Sequence, residues 1–206
     1  LELSLGKALL HGAGQAVQQG EGRLLQLTRQ QPGSAEAQEA ASLLAQQSGA
    51  SALARLHQLP DSLRNTPAVQ ARLAEAGQIP WRAVLRRWPQ EPSSWDLQWE
   101  LARRALLKRQ WQAASAVLSS LNSQLLPAPL AARQLFWLGE CAHRLGQEQQ
   151  ARRSWRRLLS LSPGGYYAWR ARLRLGEAVA ADPRQSSNPA PAVAALGPES
   201  GGIAGS

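Results

Sequence analysis

The chain has 206 residues, with 23 Lys and Arg against 14 Asp and Glu, a formal net charge of +9, a single cysteine, no methionine and eight tryptophans. That length is enough to bury a real core, as one long domain or as an array of helical pairs, whereas a lone cysteine excludes an intramolecular disulfide and a cysteine-based zinc site. No stretch approaches the roughly 18 consecutive apolar residues of a membrane span, and scarce valine and isoleucine without alternating runs give no credible strand.

Residues 1 to about 31 are rich in Gln and Gly, with Leu24, Leu25 and Leu27 as the strongest apolar group; residues 1–34 are expected to be a weakly ordered segment or a partial repeat. Because position 1 is not methionine, the chain is expected to begin inside a longer reading frame or after processing, with a signal peptide already lost. Pro32-Gly33-Ser34 reads as a turn and N-cap for an alanine-rich helix from about Ala35 to Gln47. From Ala50 short helices alternate with proline stops. Thr66 with Pro67 is a strong start signal, Gly77 a strong stop, and Ile79-Pro80 opens WRAVLRRW.

Residues 88–99, WPQEPSSWDLQW, hold three tryptophans and two prolines. Ser94 is expected to cap a helix DLQWELARRALLKRQW, with Asp96 and Glu100 near its positive end and Arg103, Arg104, Lys108 and Arg109 towards its negative end. Trp95, Trp99 and Ala102 share one face of it and read as core. Further on, Leu135, Leu138, Ala142 and Leu145 recur at helical spacing, Gly146 stops that helix, and Ala151, Trp155, Leu158 and Leu159 begin a second apolar stripe that ends at Pro163-Gly164-Gly165.

Leu135-x2-Leu138-Gly139-x2-Ala142, Ala151-x3-Trp155 and Pro163 fall at the intervals of the 34-residue tetratricopeptide pattern. The pattern returns upstream at an offset of 37 residues, where Leu101-Ala102, Ala114, Leu118 and Leu121 stand for Leu138-Gly139, Ala151, Trp155 and Leu158. The expected fold is therefore all-α: a tetratricopeptide-like superhelical array of antiparallel helical hairpins over residues 35–177, each burying a face it could not bury alone. Small Gly139 and Ala151 would let paired helices approach closely, and Trp155 would fill the space between one pair and the next. Residues 178–206, rich in Ala, Pro, Ser and Gly, read as a flexible tail or linker.

Chemistry-bearing residues are few. Cys141, on an apolar face, reads as a small packed residue, and His11, His57 and His143 lack partners at ligand spacing, so neither metal nor cofactor is expected. Charge is uneven: Trp81 to Arg184 carries sixteen Arg and one Lys against seven acids. The basic half is also the tryptophan half, which suits a surface for an anionic polymer. Arg152, Arg153, Arg156 and Arg157 are the candidate polymer-binding residues, although the same four also read as the solvated face of a helix. No catalytic residue is assigned.

The run FWLGECAHRLGQEQQARRSWRRLLSLSPGGYYAWRARLRLG resembles the last helical pair of the superhelical domain of soluble lytic murein transglycosylases. The matching residues are Phe136-Trp137-Leu138-Gly139, Ala151 with Trp155, Tyr166-Tyr167-Ala168 and Arg174-Leu175-Gly176, and the resemblance extends over about residues 50–177. It implies a bacterial envelope or periplasmic protein that cleaves peptidoglycan between N-acetylmuramic acid and N-acetylglucosamine to a 1,6-anhydro product. In that family the catalytic Glu lies in a lysozyme-like domain after the helical region. Here Glu199-Ser200 is the only Glu-Ser; it sits in a Gly-Pro tail without the Gly-Leu-Met-Gln run that follows in the family. A general acid needs a preorganised pocket to raise its pKa, so this chain alone is expected to be an inactive scaffold that positions its parent enzyme on peptidoglycan. Tyr166, Tyr167, Trp169 and Arg170 would then contact the downstream domain. A tetratricopeptide adaptor for a partner protein is the alternative reading; a basic nucleic-acid-binding repeat is the third, with nucleic acid the less expected partner.

Overall fold

The computed structural model describes residues 1–177; the expected tail, with Glu199-Ser200, lies outside them. The described chain is all-helical. Residues 1–34, expected to be a weakly ordered segment or a partial repeat, hold two helices, α1 (Glu2–Leu10) and α2 (Gln15–Gln30). Their seam is set by small residues, since Gly6 lies against Leu24 and Gly20 against the backbone of Gly6. Leu3 and Leu10 of α1 pack on the cluster that holds Leu24, Leu25 and Leu27 of α2, and the two glycines let the helices close over it.

Helix α3 (Ala35–Gln46) starts as expected, with Ser34 Oγ accepting from Ala37 N at 3.1 Å. Two short helices follow, α4 (Ala50–Leu56) and α5 (Asp61–Arg64), then α6 (Pro67–Glu75) and α7 (Trp81–Arg87). Thr66 does occupy the N-cap of α6, but its hydroxyl donates back to Leu63 O at 2.7 Å and caps nothing. Gly77, at φ 77°, ends the turn as expected.

Helix α8 (Pro92–Leu107) begins earlier than the tryptophan-rich segment suggests. Glu91, not Ser94, is its N-cap; Ser94 is buried inside the first turn, its Oγ without a hydrogen-bond partner. The helix also ends before Trp111, because Lys108–Gln110 turn the chain into α9 (Trp111–Leu118). The turn is built like the one after α10 (Ala128–Arg144), which leads into α11 (Glu148–Leu161). In the first, Gln110 N donates to Ala105 O and Arg109 N to Leu106 O; in the second, Gln147 N donates to Ala142 O and Gly146 N to His143 O. Gly146 has φ 75°, and Arg109, one repeat earlier, is forced to φ 56°. A left-handed conformation costs a side-chain-bearing residue about 1–2 kcal/mol, and without a glycine there the sequence carries no stop signal. Arg109→Gly should raise stability by about 1 kcal/mol, read as a higher urea midpoint at unchanged slope; a lower midpoint would show that the turn is not strained.

A 3-10 turn at Ser123–Leu125 separates α9 from α10, and α12 (Gly165–Leu175) packs on both α10 and α11. The core is a row of clusters rather than one ball. The first joins Leu24, Ala40, Leu56 and Val69; the next joins Val84, Leu97 and Ala131; a third joins Ala102, Ala114 and Cys141; the last joins Phe136, Trp155 and Ala171. Shared half-buried side chains link them in chain order: Ile79, then Trp81 and Leu101, then Trp137 and Leu138. Contacts therefore run between near neighbours, as in repeat proteins.

Two buried glutamines, not foreseen from the sequence, hold the end of α9. Gln98 Nε2 donates to Val117 O and Leu118 O, and Gln134 Nε2 donates to Leu118 O and Leu121 O. Val117 O also accepts from Ser120 N, so a side chain from each flanking helix adds to the bonds that close the end of α9 and the turn after it.

Candidate functional site

The residues of the C-terminal signature form one packed unit on α10, α11 and α12. Trp155 is 2% exposed and donates from Nε1 to Phe136 O at 3.2 Å, lying across the helix where Gly139 has no side chain. It packs against α10 at Gly139 and Phe136, in a cluster that also takes in Ala168 and Ala171 of α12. One repeat earlier, buried Ala102, Ala114 and Leu118 occupy the corresponding places with a smaller side chain in the Trp155 position. Glu140, beside Gly139, is buried and takes a two-pronged contact from Arg174: Nε to Oε1 at 2.5 Å and Nη2 to Oε2 at 2.8 Å. The fold brings this arginine to it from 34 residues further along the chain. Cys141 is fully buried, and burial, then the neighbouring Glu140 charge, push its thiol up to about 11. It stays protonated and serves as packing.

The aromatic-basic stripe on α12 divides in two. Tyr167 packs on Phe136 with ring centroids 5.5 Å apart, and the Arg170 guanidinium lies 4.8 Å from the centre of the Phe136 ring, so both belong partly to the preceding hairpin. Tyr166 stacks with Trp169 and accepts from Arg170 Nη1 at 2.8 Å. The buried Trp169 Nε1 has no hydrogen-bond partner. Arg152, Arg153, Arg156 and Arg157 all lie on the exposed face of α11, opposite Ala151, Trp155 and Leu158, and none is in a salt bridge among the described residues. The sequence thus located both sets on helix faces, and the fold keeps them as separate surfaces.

A third surface was not legible in the sequence. Helices α3, α6 and α8 lie side by side and enclose an open groove of about 740 Å³. Its charged lining is Glu75, Glu91, Asp96 and Glu100 against Arg72. Glu75 is paired with Arg72 and Arg104, and Glu100 with Arg103 and Arg104. The Arg103 hydrogen bond is the main cause that holds the Glu100 carboxyl below its ordinary value. Such a carboxylate is a poor general acid, and Glu91 and Asp96 are exposed where a general acid needs an apolar wall. Trp99 also lines the groove, half-buried, with the Arg133 guanidinium 4.0 Å from its ring centre. Burial pushes the Arg133 pKa down, opposed by Tyr167 and Asp96.

His57 is exposed and contacts Gln78 Oε1 at 2.8 Å, and His143 contacts Glu148 at 2.5 Å. Among the described residues no His, Cys, Asp and Glu cluster could hold a metal, and no helix is long and apolar enough to cross a membrane. Comparison with protein-family models, curated proteins and solved structures finds no match to this chain.

Proposed function

We propose that this chain is the non-catalytic helical scaffold of a peptidoglycan lytic transglycosylase, which holds the enzyme on murein strands in the bacterial envelope beside a lysozyme-like catalytic domain. What supports the reading is that the residues carrying the resemblance are mutually dependent. Gly139 accepts Trp155, Trp155 binds the carbonyl of Phe136, Phe136 seats Tyr167, and Glu140 clamps Arg174. The exposed guanidinium groups of α11 would face the carboxylate-bearing polymer, and Tyr166, Trp169 and Arg170 would meet the catalytic domain.

The test is co-sedimentation of the 206-residue chain with purified sacculi. Four surface contacts at a few tenths of a kcal/mol each amount to about a tenfold loss of affinity when Arg152, Arg153, Arg156 and Arg157 are all replaced by Gln, and binding should weaken with salt. Mass spectrometry of the same samples should show no 1,6-anhydromuropeptides above a buffer control. Failure of the wild-type chain to sediment at low salt would sink the reading; unchanged binding of the quadruple variant would remove those arginines from it; product would mean that one of the acids assigned to structure is a catalyst.

A further inference from the structure

We propose that the groove between α3, α6 and α8 binds an extended segment of a partner protein that carries Lys or Arg side chains. This surface is distinct from the α11 arginines, and the proposal does not depend on the peptidoglycan reading. The groove is open and about 740 Å³ in volume, within the range of roughly 300–1,000 Å³ typical of ligand sites.

Its two walls differ. On α3, Gln38, Ser42 and Gln46 line the groove at intervals of four residues. That spacing sets their side chains about 6 Å apart along one ridge, close to the roughly 6.6 Å that separates alternate residues of an extended chain. The carboxamides of Gln38 and Gln46, about 12 Å apart along the helix, can donate to and accept from peptide units of an extended chain, with the Ser42 hydroxyl between them. Ser42 Oγ already donates to Gln38 O at 3.0 Å, so towards a ligand it is an acceptor.

On α8, Glu91 and Asp96 line the same groove, and neither is in a salt bridge among the described residues, whereas Glu75 and Glu100 are neutralised by arginines. The helix dipole accounts for Glu91 at the N-cap, but its effect fades within the first turn, and Asp96 lies beyond it. In a chain of net charge +9, Glu91 is in no ion pair among the described residues and Asp96 feels only the nearby charge of Arg133, so this wall favours a cationic occupant by charge complementarity. Arg133 already lies over the Trp99 ring, and the part of Trp99 that lines the groove offers apolar surface for the aliphatic stem of a Lys or Arg. Polymers bearing carboxylates meet repulsion here, and this separates the groove from the basic face of α11.

The experiment is fluorescence anisotropy of the full chain with fluorescein-labelled decapeptides of alternating Ala and Lys or alternating Ala and Glu, at low salt. The net charge of the protein by itself favours the Glu peptide, so the sign of the preference is decisive. The expected result is that the Lys peptide binds at least tenfold more tightly than the Glu peptide. Its affinity should fall about tenfold in Glu91→Gln/Asp96→Asn, fall also in Gln38→Ala/Gln46→Ala, and stay unchanged in the quadruple α11 variant. These groove positions are exposed or line an open surface, and circular dichroism would verify that each variant folds. Equal or tighter binding of the Glu peptide, or an unchanged Lys-peptide affinity in Glu91→Gln/Asp96→Asn, would overturn the proposal. So would displacement by lysine amide as effective as by unlabelled peptide, or displacement by chitin oligosaccharide, which would make the groove a simple cation site or a glycan site.

Discussion

Gly139→Ala should lower stability by about 3 kcal/mol, the upper part of the range for overpacking a filled core. A Cβ built at Gly139 would lie 2.6 Å from Cδ1 and Cε2 of Trp155, distances that real Cβ atoms do not reach. The indole cannot retreat, because it is 2% exposed and tied through Nε1 to Phe136 O. Alanine normally stabilises a helix interior by about 0.5–1 kcal/mol relative to glycine, so the sign here is reversed by one contact. Gly22→Ala in α2 is the control, since a Cβ there meets nothing within 4 Å; it should gain that propensity term. Urea denaturation of both variants decides the matter. Two similar shifts would mean that the hairpin can open to admit the methyl group and that Trp155 does not set the helix separation.

Arg174→Ala should cost about 3 kcal/mol, the low end for breaking a buried pair by removing one partner. Glu140 keeps only 6% of its side chain exposed, so its carboxylate would be left uncompensated, whereas Arg174 is 37% exposed and can be hydrated when it loses Glu140. The two truncations are therefore unequal: Glu140→Gln should cost clearly less than Arg174→Ala, and the double variant should recover part of the loss. Because the contact joins α10 to α12, the single arginine variant should also loosen the C-terminal helix, seen as faster amide exchange in 165–175 than in α10. Equal costs for the two single variants would show that the pair is held as a surface ion pair and not as a buried one.

The sequence made the helical class legible, together with most helix starts and the signature unit, because those features are written locally: apolar residues at helical spacing, Ser34 before α3, Pro67 at the first position of α6, glycine at the left-handed stops. It misplaced features in which a residue does a task its type does not announce. Arg109 takes the conformation that Gly146 takes one repeat later, so the break between α8 and α9 carried no signal. Ser94 looks like a cap and is buried inside the helix, while Glu91 begins it. Trp155 was correctly marked as a packing residue, yet which gap it fills depends on where Gly139 sits across the hairpin.

The sequence by itself determined the helical class of the described residues and that α11 presents four arginines opposite a buried face. Only the tertiary structure decided that Glu140 would meet Arg174 and that the acids of α6 and α8 would line a groove with the polar ridge of α3. The physical reason is range. Helix faces follow from spacings of three and four residues, whereas a pair separated by 34 positions, or a groove drawn from three helices, depends on how deeply neighbouring helices seat against each other. That depth is set by small residues such as Gly139, Ala102 and Gly20, whose contribution is the side chain they lack.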